Sequence, residues 1–272
     1  MSWIRSWSCA LPRSGRRLLA AAAAFALLLL PAASQTPGRT LNVPGGYATI
    51  QAAVNAAAPG DTVQVAAGTY AESVEIAGKS ALALQGAGAD ATTVAGTGWC
   101  GVWVHGASTG IVIRGLGVRD CTASGVVCCG AGTSLALDDC DLSGNGSGAE
   151  YRGGMCVNAG ATVVITRCRV HGNGCHGLSC GGSGTVCTVT ASTFASNGGC
   201  GIWACTDAVV SATDTTAEGN AHSGMGVANR GRLILNRCSV LGSGEHGVSL
   251  CAGAVLEANG NTIALDFRLS CR

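Results

Sequence analysis

A glycine followed by an apolar residue returns at Gly101, Gly125, Gly154, Gly177, Gly201, Gly224 and Gly247, at intervals of 24, 29, 23, 24, 23 and 23 residues. A fixed period of roughly 20–50 residues restricts a chain to solenoids, propellers and arrays, because one such unit cannot bury its apolar face alone. The single long interval, Gly125 to Gly154, reads as a unit carrying an extra loop of five or six residues.

Within each unit the apolar residues alternate, which turns one face of a strand inward. A first strand follows the repeat glycine (Val102/Val104, Leu178/Cys180, Ile202/Ala204), a second follows it (Ile111/Ile113, Leu135/Leu137, Val163/Ile165), and a third closes the unit (Val118, Leu142, Val170). Three short strands in about 23 residues fit one coil of a parallel β-helix whose successive coils stack about 4.8 Å apart. Leucine-rich repeats share the period but need regularly placed leucines and a longer convex segment, and neither is present.

Stacking makes columns, and the columns carry meaning. Asn145, Asn173, Asn197 and Asn220 fall in one corner column. Asparagine tolerates the left-handed backbone of a tight corner, and stacked amides bond from coil to coil. Asp139 precedes Arg167 by one coil in an outward column, as Asp141 does Arg169 and Asp214 does Arg237, so these read as charge pairs between rungs. Cys128, Cys180 and Cys187 fall on inward positions, and Cys140 and Cys168 stack in neighbouring coils.

Ahead of the repeats, Ile50, Val54 and Ala57 sit at helical spacing and end at Pro59-Gly60, which predicts a short amphipathic helix capping the open end. Strands are expected at Val63–Val65, Val74–Ile76, Leu82–Leu84 and Thr93–Ala95. Residues 1–34 stand apart. Four arginines precede a 13-residue apolar run, Leu18 to Leu30, and then Pro31-Ala32-Ala33-Ser34. That is the layout of a secretory signal, and the run is short of the ~20 residues of a membrane span. The divisions are 1–34 signal peptide, 35–62 N-terminal segment with capping helix, and 63–272 solenoid, with no membrane span after signal removal. Only 11% of residues are charged and the formal net charge is +1. A nucleic-acid binder would need a strong basic excess, so none is expected as partner. The 16 cysteines agree with an oxidising compartment. The C-terminal coil, from Ile263 onward, shows no cap, and an uncapped coil is a route to self-association.

The string LNVPGGYATIQAAVNAAAPGDTVQVAAGTYAESVEI, with the later GVWV…IVIRGLGV and GMCV…VVITRCRVHGNG, resembles secreted right-handed parallel β-helix proteins of the pectin-lyase-like superfamily. The resemblance covers residues 41–266. It implies an all-β, right-handed, single-stranded parallel β-helix of about eight to nine coils. It does not choose an activity. Gly68-Thr69-Tyr70 with Glu72 matches the esterase members' G-x-Y-x-E stretch, which is structural there, but their Gln-Asp-Thr motif is absent. Asp138-Asp139 and His176-Gly177 match the polygalacturonase pattern in part. Lys79 is the one lysine and lies upstream, so Arg-x-Lys cannot follow. The lyase members' acidic calcium cluster is not evident either.

Three constellations remain. Trp103 and Trp203 lie on the outward face of the first-strand sheet, four coils apart, with His105 beside the first. The inserted loop adds Glu150, Tyr151 and Arg152. Flat apolar rings beside polar groups suit a sugar. Cys175, His176, Cys200, His222 and His246 gather at one corner. They include thiolate and imidazole donors of the kind zinc or copper takes, but a Cys175–Cys200 disulfide or unrelated turn residues is the preferred reading and no metal is expected. Glu150 or Asp139 would be the acid or base of an enzyme, with Arg152 or Arg167 steadying a uronate carboxylate. The reading that follows is an exported protein binding cell-wall or matrix polysaccharide along an exposed sheet through Trp103, His105, Tyr151, Arg152 and Trp203, with no cofactor. A polysaccharide hydrolase, lyase or epimerase and a structural or adhesive surface protein are the alternatives. The expected location is extracellular, cell wall or periplasm.

Overall fold

The computed structural model describes residues 38–146, 153–251, 253–263 and 268–269. The coil built from these residues winds through three parallel sheets. The first sheet starts at Val74–Ala77 and ends at Arg268–Leu269, the second runs from Thr40–Val43 to Val255–Asn259, and the third from Gly68–Tyr70 to Thr262–Ile263. They hold nine, ten and nine strands, so the solenoid has about nine coils. Each strand pairs with its counterpart one coil on, in the register the repeat sets: Val126 lies beside Met155, and Leu135 beside Val163.

The alternation predicts the core well. Val102, Val126, Leu178, Ile202 and Met225 are buried from the first sheet, Ile113, Leu137, Ile165 and Leu233 from the second, and Leu142, Val170 and Phe194 from the third. The repeat glycines have a steric reason. A Cβ on Gly177 would lie 2.6 Å from the carbonyl oxygen of Gly201, and one on Gly201 would lie 2.6 Å from that of Gly224. Only a residue without a side chain lets successive coils close at that corner.

The second and third sheets meet at a one-residue corner in the left-handed region: Asp139 (φ 52°), Arg167 (52°), Ala191 (49°), Asp214 (50°) and Arg237 (52°). The asparagine column holds the next corner. Asn145 Nδ2 donates to Asn173 Oδ1 (3.1 Å), Asn173 to Asn197 (2.9 Å) and Asn197 to Asn220 (2.9 Å). Each amide also donates to a strand carbonyl of the preceding coil, such as Val118 or Leu142. The ladder stops where Ser243, too short to reach, replaces asparagine.

The capping helix is α1 (Ile50–Ala56), shorter than its apolar periodicity suggests, with Ile50, Ala53 and Val54 buried against the first coils. Thr49 is its N-cap. Glu72 explains the G-x-Y-x-E stretch, because its two oxygens accept the Ile50 and Gln51 N–H groups at 2.9 Å each. A carboxylate at a helix N-terminus satisfies orphan donors and meets the positive end of the dipole. The strands Thr40–Val43 and Gly68–Tyr70, ahead of the regular repeat, were not foreseen. Among the described residues no helix is long and apolar enough to cross a membrane.

Candidate functional site

The outward face of the first sheet carries two aromatic stations. At the first, Trp103 stacks on His105 (centroids 3.8 Å apart, planes 21°) and meets Trp99 edge-on at 5.3 Å. The alternation that buries Val102 and Val104 is what turns Trp103 and His105 outward. Trp103 Nε1 donates to Cys129 Sγ on the next coil at 3.3 Å, and His105 Nε2 shares a 2.8 Å hydrogen bond with Glu75 one coil back. Trp99 is 43% exposed, a large ring left open to solvent.

The second station is built round Trp203. The register runs Trp103, Val127, Cys156, Ser179, Trp203, so the two indoles share one outward row, four coils or about 19 Å apart. The Trp203 ring lies over Gly226, where a Cβ would sit 2.6 Å from Cε3. Its other neighbour is the His176 ring, parallel within 9° at 5.7 Å between centroids. Beside them opens a cavity of about 370 Å³ lined by Cys175, His176, Gly198, Gly199, Cys200, Trp203 and His222. It exists because Gly198 and Gly199 bring no side chains: a Cβ on Gly199 would be 2.7 Å from His176 Nδ1.

His176 is 7% exposed. Burial, and then the charge of neighbouring His222, pushes its pKa down to about 4. Its Nδ1 accepts the Cys200 N–H at 2.9 Å, so the neutral ring carries its proton on Nε2. Burial pushes the Cys200 thiol up to about 11, so it is no thiolate at neutral pH. The sequence grouping of Cys175, His176, Cys200 and His222 is thus real, and these four residues line one cavity. Cys175 and Cys200 are both free thiols. Among the described residues no three His, Cys, Asp or Glu side chains converge as metal ligands. His246 belongs to the following coil and does not line the cavity.

The charged groups collect on other surfaces. Asp141, buried on the third sheet, accepts from Ser143 Oγ (2.8 Å) and Arg169 Nε (3.0 Å), bonds His171 Nε2 (3.1 Å), and has Arg119 at 3.4 Å. Burial raises its pKa, but the hydrogen bonds from Ser143 and His171 and the nearby positive charges outweigh it and leave it below the ordinary value. Arg169 also reaches Asp90, from the less regular coils, which no repeat arithmetic locates. The Asp141–Arg169 and Asp214–Arg237 pairs form as the columns predict. The Asp139–Arg167 pair does not. Arg167 pairs instead with Asp138 on the outward face of the second sheet, and Asp139 is the left-handed corner residue. Asp139 therefore lies on the corner between the second and third sheets, where it lines two grooves of about 290 Å³ each with Arg167, and not on the face that carries the tryptophans. Glu150, Tyr151 and Arg152 lie outside the described residues.

Sequence reasoning overlooked Glu75, which its register opposite Trp103 could have revealed. It overlooked the assembly around Asp141 as well, although His171 follows Arg169 at strand alternation and was in reach of the same column logic.

A family model described as "Right handed beta helix region" matches residues 153–265. A carrot pectin methylesterase shares the fold with a TM-score of 0.57 at 11% identity, over 85% of this chain and 84% of that one. The fold is a right-handed parallel β-helix. Pectin methylesterase PemA from Erwinia chrysanthemi aligns with a TM-score of 0.50 at 11% identity, over 77% of this β-helix and 81% of its own chain. No curated protein matches by sequence.

Proposed function

We propose that this β-helix is an exported protein that binds cell-wall or matrix polysaccharide along the outward face of its first sheet. The observation that carries the reading is the shared register of Trp103 and Trp203. Two indole stations on one outward row of a parallel sheet can be spanned by an extended glycan, each ring packing against the apolar face of a sugar. Ser179, in the tryptophan row, and Asn158, two residues further along its strand, lie on the strands between them and supply polar groups. The pectin methylesterases that share the fold act on a polysaccharide, which agrees with this use of the scaffold. Export is supported by the arginine-rich, apolar and small-residue sequence of residues 1–34.

Turnover has less support. Acid–base cleavage needs two carboxylates facing one sugar. Among the described residues the outward face of the first sheet offers Glu75, hydrogen-bonded to His105, while Asp139 is on another corner and Glu150 lies outside them.

Affinity electrophoresis through gels cast with different polysaccharides, stained afterwards for degradation, tests the proposal. Retardation that Trp103→Ala and Trp203→Ala each weaken is the expected result. Cleared zones would make the protein an enzyme. Unchanged mobility in every gel would remove the glycan reading and favour a structural role.

A further inference from the structure

Two cysteines of one coil meet inside the corner between the first and second sheets. Cys180 is an inward residue of the strand Leu178–Gly181, and Cys187 is an inward residue of the strand Val186–Thr190. Both are fully buried, and their sulfurs lie 3.0 Å apart. Unbonded carbon atoms settle about 3.5–4.0 Å apart, and sulfur is the larger atom, so this spacing is close for two thiols. It is about 1 Å longer than the S–S bond of a disulfide. The coils on either side fill the same two positions with Val157 and Val163, and with Ala204 and Val210. Other buried thiols have different partners. Cys140, Cys168 and Cys238 each donate to a carbonyl oxygen, whereas the hydrogen bond of Cys180 and Cys187 runs from one sulfur to the other.

We propose that Cys180 and Cys187 form a disulfide that staples this corner. Two S–H bonds are given up and one S–S bond forms. The two electrons and two protons pass to the disulfide of a thiol oxidant, which leaves as a dithiol. Closure in the cell rests on the export reading above, because such oxidants act in the compartments that exported chains enter. The pairing of the two cysteines in the purified protein does not rest on it. Burial sets the timing. Exchange needs a thiolate, and burial, followed by the hydrogen bond and charge of Cys180, raises the Cys187 pKa well above the ordinary thiol value. The bond is therefore made while the coil is open, and the closed core then shields it from reductants. The connection between the two cysteines contains Gly182 and Gly184, both at positive φ, and glycines lose much backbone freedom on folding. A cross-link over residues 180–187 removes part of that freedom from the unfolded chain. It stabilises the coil that also brings Cys175 and His176 to the cavity.

The test starts from purified protein that is unfolded, reduced and refolded in glutathione buffers of increasing oxidising strength. Remaining thiols are alkylated in denaturant without reductant, and a digest with trypsin and chymotrypsin is read by mass spectrometry. Cleavage after Leu178 and Phe194 releases residues 179–194, which hold Cys180 and Cys187 and no other cysteine. The expected peptide is unalkylated and lighter by two hydrogens than the dithiol. On the folded protein the bond should survive dithiothreitol, and it should be lost once denaturant is added. The oxidised protein should melt about 5 °C or more above the reduced one, and the double variant Cys180→Ala/Cys187→Ala should lack that difference. Two alkyl groups on residues 179–194 in every buffer would overturn the inference. So would a bond from either cysteine to Cys128 or Cys156, the other thiols whose charge Cys187 feels. A pair that closes in the purified protein but is found reduced when thiols are trapped directly in cells would support the pairing and overturn its closure in the cell together with the export reading.

Discussion

Replacing Asn197 by alanine cuts the corner ladder at its middle. The side chain is 1% exposed. Its Nδ2 donates to the Val170 carbonyl (3.1 Å) and to Asn220 Oδ1 (2.9 Å), and its Oδ1 accepts from the Asn173 backbone N–H (3.3 Å) and from Asn173 Nδ2 (2.9 Å). Alanine removes all four. Asn173 Nδ2 keeps the Leu142 carbonyl at 3.0 Å, and Asn220 Oδ1 keeps the N–H of residue 197 itself at 3.1 Å. The Asn173 N–H loses its acceptor in a place water does not reach. At about 1 kcal/mol per lost bond the change should cost about 4 kcal/mol. Urea unfolding followed by far-ultraviolet circular dichroism measures this, with Asn158→Ala as control. Asn158 sits half-buried on the first sheet and donates to Cys156 Sγ at 3.5 Å, so its loss should cost below about 1 kcal/mol. Because coils couple chiefly to their neighbours, amide exchange should rise first in the coils holding residues 173 and 220. An Asn197→Ala variant no less stable than the control would refute the view that these buried amides depend on one another.

Three further outcomes follow from the geometry. Gly201→Ala should destabilise by about 3 kcal/mol or abolish folding, because its Cβ would meet the Gly224 carbonyl oxygen at 2.6 Å; thermal melting decides. His176 has its pKa lowered from 6.5 to about 4, so the unfolded chain takes up a proton that the folded one refuses as pH falls between those values. Stability should therefore drop by about 2 kcal/mol from pH 7 to pH 5, and urea midpoints of His176→Gln should lack that drop. Asp141, held below the ordinary carboxylate value, contributes stability that is present above about pH 4 and lost as pH falls through its folded pKa. Asp141→Asn should cost about 3 kcal/mol at pH 7, leaving the arginines without their buried counter-ion, and should flatten the acid limb of a pH–stability curve.

The places where sequence reasoning fell short have separate causes. Arg167 was matched to Asp139 because column arithmetic gives backbone level only. A long guanidinium at a left-handed corner can reach the strand-end Asp138 of the coil before it, and only side-chain geometry reveals that it does. Asp90 escaped because it lies in the less regular coils ahead of the repeat, 79 residues from the Arg169 it meets. The cavity was half legible. Its cysteines and histidines were grouped by azimuth, but the void depends on Gly198 and Gly199, which in the sequence look like any other corner glycines.

A one-dimensional repeat lets the sequence by itself determine an unusual amount here. Period, strand order, inward faces, the asparagine corner and the shared row of Trp103 and Trp203 all follow from counting, since each coil contacts chiefly its two neighbours. The tertiary structure alone decided which groups are neutral and which are paired. Burial and the Cys200 N–H set the state of His176, and the Trp203 ring takes its place because Gly226 leaves room for it. Such outcomes turn on distances of a few tenths of an ångström between side chains of different coils, a scale at which spacing along the chain carries no information.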